Sequence, residues 1–359
     1  MLAVYVYIAF SVLVFLGMFA IDFAPREHGK AAAVRKRFFP RTLVIVPCRG
    51  VDRGMEENLK SIGWQDYPNY EVVAVVDSKS DPASQCISKA GMRAIHSGYR
   101  GGKSSGKVFA ILFAIRKFRD FDVYVIADSD IRVEKNWLAN LVAPLASGAV
   151  GVSTSFPKFV PEGGAWSKVK MLWGFAGQGM MESRRTRFGW GGSLAFRKEL
   201  MDREAIRILS SSKYAVSDDI SITKAARGRG LGIAYVKDAQ PQVHSADDLR
   251  TFAEWSTRQT ALSILGYRNN LYFGIAFYSA EILLMASGIA LSYAISPVFV
   301  LMLVHLAKSE WKTMERAGSL DPAIALMVPA MPFIYLINLA AAARMKKITW
   351  RGRSYSLRS

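Results

Sequence analysis

Three apolar stretches frame this chain and constrain its fold more than any other feature. Met1 to Ile21 carries no charge, Leu271 to Ala307 carries Glu281 but no Lys or Arg, and Pro322 to Ala343 carries no charge. A helix needs about 20 such residues to cross the ~30 Å hydrocarbon layer, and each stretch is long enough. The first could be a cleaved signal peptide, but no basic segment precedes it and no small-x-small cleavage site stands out. A retained anchor is therefore expected. The second stretch is interrupted at Ser296-Pro297 and is too long for one simple crossing. It reads as two helices, or as one helix and a re-entrant piece, which gives two or three C-terminal spans.

The formal net charge is +18 over 359 residues, and it is placed beside these stretches. Arg26, Lys30, Arg35, Lys36, Arg37 and Arg41 follow the first, opposed only by Glu27, and Arg344, Lys346, Lys347, Arg351, Arg353 and Arg358 follow the last. The positive-inside rule puts the intervening domain and the tail in the cytoplasm, hence an even number of C-terminal spans. Basic residues so placed suit anionic headgroups and phosphate-bearing substrates, and no nucleic-acid partner is expected. Cys48 and Cys86 form neither a metal-spaced set nor a disulfide framework. The expected organisation is an N-terminal transmembrane helix (1–22), a catalytic domain (40–246), an amphipathic interfacial helix (247–270), a C-terminal transmembrane region (271–343) and a basic tail (344–359). Within the domain, 160–188 mixes Trp166, Met171, Trp173 and Phe175 with Lys168, Lys170, Arg184 and Arg185, the make-up of a helix lying in the headgroup layer.

Between the anchors the pattern alternates. Apolar runs at Thr42–Pro47, Tyr70–Asp77, Arg93–His96, Val123–Ala127 and Val150–Ser155 read as strands, separated by helical patterns at 55–62, 82–90, 105–118 and 137–145. Such alternation predicts an α/β domain with a mainly parallel sheet covered on both faces. Ligands then gather at the strand C-termini, where Pro47, Asp77 and Asp128-Ser129-Asp130 fall. Two carboxylates at i and i+2 of a strand share a face and could hold Mg²⁺ or Mn²⁺, which in turn holds a diphosphate. Asp218-Asp219 opens a further helical run, Ile220–Arg227, and Gly189-Trp190-Gly191-Gly192 precedes a strand at Leu194–Phe196.

The ordered set Pro47, Asp77, Gly102-Lys103 with Lys107, Asp128-Ser129-Asp130, Gly189-Trp190-Gly191-Gly192, Asp218-Asp219 and Arg258 resembles that of the membrane-bound family 2 glycosyltransferases, the group that includes cellulose synthase, hyaluronan synthase and ceramide glucosyltransferase. The resemblance implies a GT-A-type (Rossmann-like) domain in a reduced cellulose-synthase-like architecture. It implies that Pro47, Asp77, Lys103, Lys107, Asp128 and Arg258 bind the nucleotide donor, with Asp77 on the base and the lysines and Arg258 on the diphosphate. It further implies that Asp130, with Asp128, holds the metal and that Asp219 is the catalytic base. Trp190, Gly191, Gly192, Asp218, Trp255 and Gln259 are left for the acceptor.

One motif departs from the family. Where Gln/Arg-x-x-Arg-Trp is expected, the chain has Trp255-Ser256-Thr257-Arg258-Gln259, so the aromatic stands one helical turn early. That puts acceptor stacking, and with it processive growth, in doubt. The expected enzyme is an inverting hexosyltransferase that moves one sugar, mannose from GDP-mannose in the first instance, to a membrane-held polyprenyl- or dolichyl-linked glycan. A small processive polysaccharide synthase using a UDP-sugar and a non-enzymatic, membrane-anchored basic binding protein are the alternatives.

Overall fold

The computed structural model describes residues 2–23, 38–319 and 321–357. Arg26, Lys30, Arg35, Lys36, Arg37 and Arg358, on which the charge reading partly rests, lie outside the described residues. The chain forms two compact units. The first holds the described residues from 38 to Glu162, with Gly177–Ala246 and the tail from Lys346; the second holds the N-terminal helix, Gly163–Ala176 and Asp247–Met345.

The described residues form twelve strands: β1 (Thr42–Pro47), β2 (Tyr70–Val76), β3 (Arg93–His96), β4 (Val123–Ala127), β5 (Ile131–Arg132), β6 (Val150–Thr154), β7 (Lys158–Pro161), β8 (Ser193–Arg197), β9 (Gly232–Tyr235), β10 (Gln242–Ser245), β11 (Lys347–Trp350) and β12 (Arg353–Ser356). Seven of them make one sheet in the order β3-β2-β1-β4-β8-β6-β9. β3, β2, β1 and β4 run parallel, and β8 is antiparallel to both of its neighbours. Every residue of β1 and β4 is buried, as continuous apolar runs in a sheet covered on both faces must be. Val108, Ile111 and Ile115 of the helix Gly106–Lys117 pack on Leu43, Ile45, Val73 and Ile126, and Ile222, Ala225 and Ala226 of the helix Asp218–Gly228 join the same core. The sequence order turns back between β1 and β4, which is where an open α/β sheet forms its ligand crevice.

Two small elements carry no clear strand signal in the sequence. One is the sheet β5-β10-β7, whose strands are two to four residues long, too short to show a period. The other is the hairpin β11–β12, which turns through Arg351 (φ 50°) and Gly352 (φ 73°). Two successive left-handed residues make the tight turn that suits a two-residue hairpin loop.

The second unit is helical. Leu2–Ile21, Asn269–Ala294 and Pro322–Arg344 are long and apolar enough to cross a membrane. Their apolar side chains face outward: Leu13 is 67% exposed, Phe273 61% and Ile337 68%. Apolar surface on this scale fits a lipid neighbour rather than water. The long stretch 271–307 resolves into the helix Asn269–Ala294, a turn at Ser296, a 3₁₀ segment Pro297–Leu303 and the helix Val304–Ala317, which doubles back. His305 Nε2 lies 2.7 Å from Glu281 Oε1 across that fold-back. In the same unit Tyr7 bonds Ser287 between side chains at 2.7 Å.

Candidate active site

The crevice chemistry starts from Lys107. It stands in the first turn of Gly106–Lys117, capped by Ser105 Oγ, which accepts from Val108 N at 3.3 Å. A cation at a helix N-terminus is electrostatically unfavourable by itself. Here acids surround it: Lys107 Nζ is 2.7 Å from Asp128 Oδ1 and 3.1 Å from Asp218 Oδ2, and it donates to Gly191 O at 3.3 Å. Burial alone would lower the lysine's pKa, but Asp128, Asp218 and Asp219 outweigh it and hold the ammonium charged.

Asp218 and Asp219 open the helix Asp218–Gly228 behind the N-cap Ser217, whose Oγ accepts from Ile220 N. Asp218 is buried, and its Oδ2 has the Lys107 ion pair but no aligned hydrogen bond. Asp219 Oδ1 accepts from Gly191 N. Removal from bulk water and the adjoining Asp218 charge push the Asp219 carboxyl up to about 8, against the opposing pull of Lys107 and the Gly191 N–H. The Asp128 carboxyl is raised by desolvation, partly offset by Lys107.

Gly191 is therefore clasped on both sides, with its carbonyl on Lys107 and its amide on Asp219. A Cβ there would overlap the Asp218 and Asp219 carboxyls, and one on Gly192 would overlap the Trp190 ring. Close approach, rather than backbone flexibility, is the need these glycines meet. Trp190 itself is half-buried, with its ring 6.0 Å from Phe156 and its amide bonded to Thr154 Oγ1 at 2.9 Å.

One local expectation is corrected here. Asp128 and Asp130 do not share the face of a strand. The ladder of β4 with β8 ends at Ala127, Asp128 N donates to Gly192 O at 3.2 Å, and the triplet turns into β5. The turn aims Asp128 at Lys107, and Asp130 is exposed. Ser129 Oγ donates to Asp52 at 2.6 Å.

Among the described residues no three His, Cys, Asp or Glu side chains converge into a complete metal cage. Mg²⁺ and Mn²⁺ are commonly held by one or two carboxylates, with substrate phosphates filling the remaining positions. The hard oxygen donors of Asp128 and Asp130 fit such an ion.

The other sequence candidates fall in different places. Asp77 follows β2, and its Oδ2 accepts from Arg49 at 2.9 Å and from Arg353 at 2.8 Å. Pro47 ends β1, buried and opposite Val75 of β2. Lys103 does not join the acid cluster; it is exposed and lines a cavity of about 300 Å³ with Tyr99, Phe109, Phe113 and Ser210. Trp255, Arg258 and Gln259 lie on the helix Leu249–Gly266 of the second unit. There Trp255 meets Trp173 edge-on at 4.9 Å, with Lys170 Nζ 4.8 Å above its ring. Arg49, Asp52, Arg351 and Arg353 were not singled out as site residues in the sequence. The only available signals were an Arg-Gly pair just after β1 and a second one inside an alternating tail.

A mainly parallel sheet with one antiparallel strand, carrying an acidic crevice at its strand ends, is a GT-A-type arrangement. The chain belongs to glycosyl transferase family 21, whose sequence model matches residues 5–359. This bears out the glycosyltransferase resemblance, under a different family number from the family 2 group, and sets aside a non-enzymatic basic binding protein. Among solved structures the chain is similar to a mannosyltransferase of Pyrobaculum calidifontis in complex with GDP-mannose and Mn²⁺, at 20% identity over 94% of each chain with a TM-score of 0.50. It is also similar, at 16% identity over 66% of this chain and 83% of the other with a TM-score of 0.42, to a glucosyl-3-phosphoglycerate synthase of Mycobacterium tuberculosis in complex with Mn²⁺, UDP and glucosyl-3-phosphoglycerate.

Proposed function

We propose that this glycosyltransferase moves one hexose from a nucleoside-diphosphate donor to the hydroxyl of a lipid-linked acceptor at the membrane, with inversion at the anomeric carbon. The observation that carries the reading is the Lys107–Asp128–Asp218 cluster beside Asp219, at the C-terminal end of the central strand. Asp219 takes the proton of the acceptor hydroxyl as its oxygen attacks in line, an assistance typically worth about 10²–10⁴-fold. Its raised pKa makes it a competent proton acceptor near neutral pH. Lys107 holds Asp128 and Gly191 in register and places positive charge beside the leaving diphosphate. Asp128 and Asp130 would hold Mn²⁺ or Mg²⁺, which neutralises the charge that develops on the nucleoside diphosphate. Asp77 accepts from the base of the donor, and the family resemblance assigns Arg258 to the diphosphate.

The helices apolar enough to span a bilayer support a membrane-held acceptor. They are few for a polysaccharide channel, and Gln259 replaces the stacking Trp of the resembled motif, which favours single transfer over chain growth. GDP-mannose is the first donor to test and UDP-glucose the second, with a polyprenyl-linked glycan and a ceramide-type lipid as acceptors. Purified protein with labelled donor, Mn²⁺ and each acceptor should give a product one sugar larger. Asp219→Asn should lower turnover by about 10²-fold or more while donor affinity stays within about twofold. A long polymer would overturn single transfer, and an active Asp219→Asn would remove Asp219 as the base.

A further inference from the structure

The tail after Met345 is more than a basic flank. β11 and β12 place Ile348 opposite Tyr355, and both are buried, so the hairpin has a docked inner face. Tyr355 Oη accepts from Gly106 N at 3.3 Å, at the start of the helix that carries Lys107. Arg353 stacks over the Tyr99 ring at 4.5 Å, donates to Tyr99 O at 3.2 Å and donates to Asp77 Oδ2 at 2.8 Å. Arg351 pairs with Asp52, whose other oxygen accepts from Ser129 of the acidic triplet. One hairpin thus joins the ends of β2, β1 and β4 across the crevice.

The pairing at Asp77 is asymmetric. Arg49 and Arg353 both donate to Oδ2, while Oδ1 has only a long 3.4 Å contact from Ser97 Oγ. A carboxylate oxygen accepts two hydrogen bonds, so Oδ1 keeps capacity for a ring N–H of a nucleobase. The two arginines also fix the carboxylate's rotation. A planar guanidinium locked on Tyr99 is suited to that task, and a lysine would do it less well.

We propose that the hairpin Lys347–Ser356 forms a wall of the donor-nucleotide site, with Arg353 as a positioning residue that orients Asp77 toward the base and contributes to base selectivity. This rests on the reading of Asp77 as the base ligand.

The test uses the full-length chain with GDP and UDP in the presence of Mn²⁺, measured by titration and by donor kinetics, with thermal melting as the control for folding. Arg353→Ala should weaken binding of the preferred nucleotide about tenfold, about 1.4 kcal/mol. It should bring the GDP and UDP affinities closer together, raise donor KM in parallel and leave kcat within about twofold. Arg353→Lys should fall between the two. Should Arg353→Ala unfold the protein, Arg353→Lys alone carries the same test. Unchanged affinity and selectivity in a stably folded Arg353→Ala would make the hairpin a structural clip and overturn the proposal. Tighter binding and faster turnover would make it a plug, which also overturns it. Wild-type protein that binds neither nucleotide overturns the donor reading and this inference together, whereas binding by wild type that Arg353→Ala leaves intact overturns only the latter.

Discussion

Asp219, the proposed base, is tuned by its immediate surroundings. Desolvation and the neighbouring Asp218 charge push its carboxyl up to about 8, and Lys107 and the Gly191 amide limit the rise. A base must be ionised to work, so kcat/KM should fall as pH drops through that value and level off above it. Asp218→Asn removes a like charge and should shift this acidic limb to lower pH, because the ionised form of Asp219 then costs less. A limb that stays in place or moves upward would mean that another group controls the profile. The adjacent acids and the glycines were visible in the sequence. Their meeting with Lys107 was not, since it depends on two helix N-termini and a loop that lie far apart in the chain. The local geometry of Asp128-Ser129-Asp130 was misread for a related reason, because the point where the β4 ladder stops is set by β8, a later strand.

At the scale of elements, the loop 189–192 is the joint between the two helices of the crevice. Gly191 is held by Lys107 from Gly106–Lys117 and by Asp219 from Asp218–Gly228. Gly191→Ala should force both acids aside, lowering stability by about 1–3 kcal/mol, as overpacking does. Turnover should fall more than donor affinity, since the proposed base Asp219 moves while Asp77 does not. Equal losses in both, or none, would show that the joint tolerates a side chain. The helix Leu249–Gly266 was expected from its amphipathic pattern, and its capping box at Asp248 and Thr251 fixes its start. The displaced Trp255 packs on Trp173 and Lys170.

At the scale of the whole molecule, the tail from Lys346 belongs to the same compact unit as the catalytic sheet. We therefore expect the chain from Asp247 to Met345, whose two ends both join that unit, to enter and leave a membrane on one side with an even number of crossings. In sealed vesicles, a C-terminal tag and the catalytic domain should be digested by protease from the same face. A Ser296→Cys thiol in a cysteine-free background should react from the opposite face. A tag protected while the domain is cut would refute the topology. The sequence by itself determined the α/β class and the apolar helices, because period and length are local properties that a short window of residues carries. Only the tertiary structure decided that Lys107 gathers Asp128, Asp218 and Asp219, and that Arg353 reaches Asp77. Those encounters depend on how distant segments close around the sheet, and burial then gives the charges their strength by removing the water that would screen them.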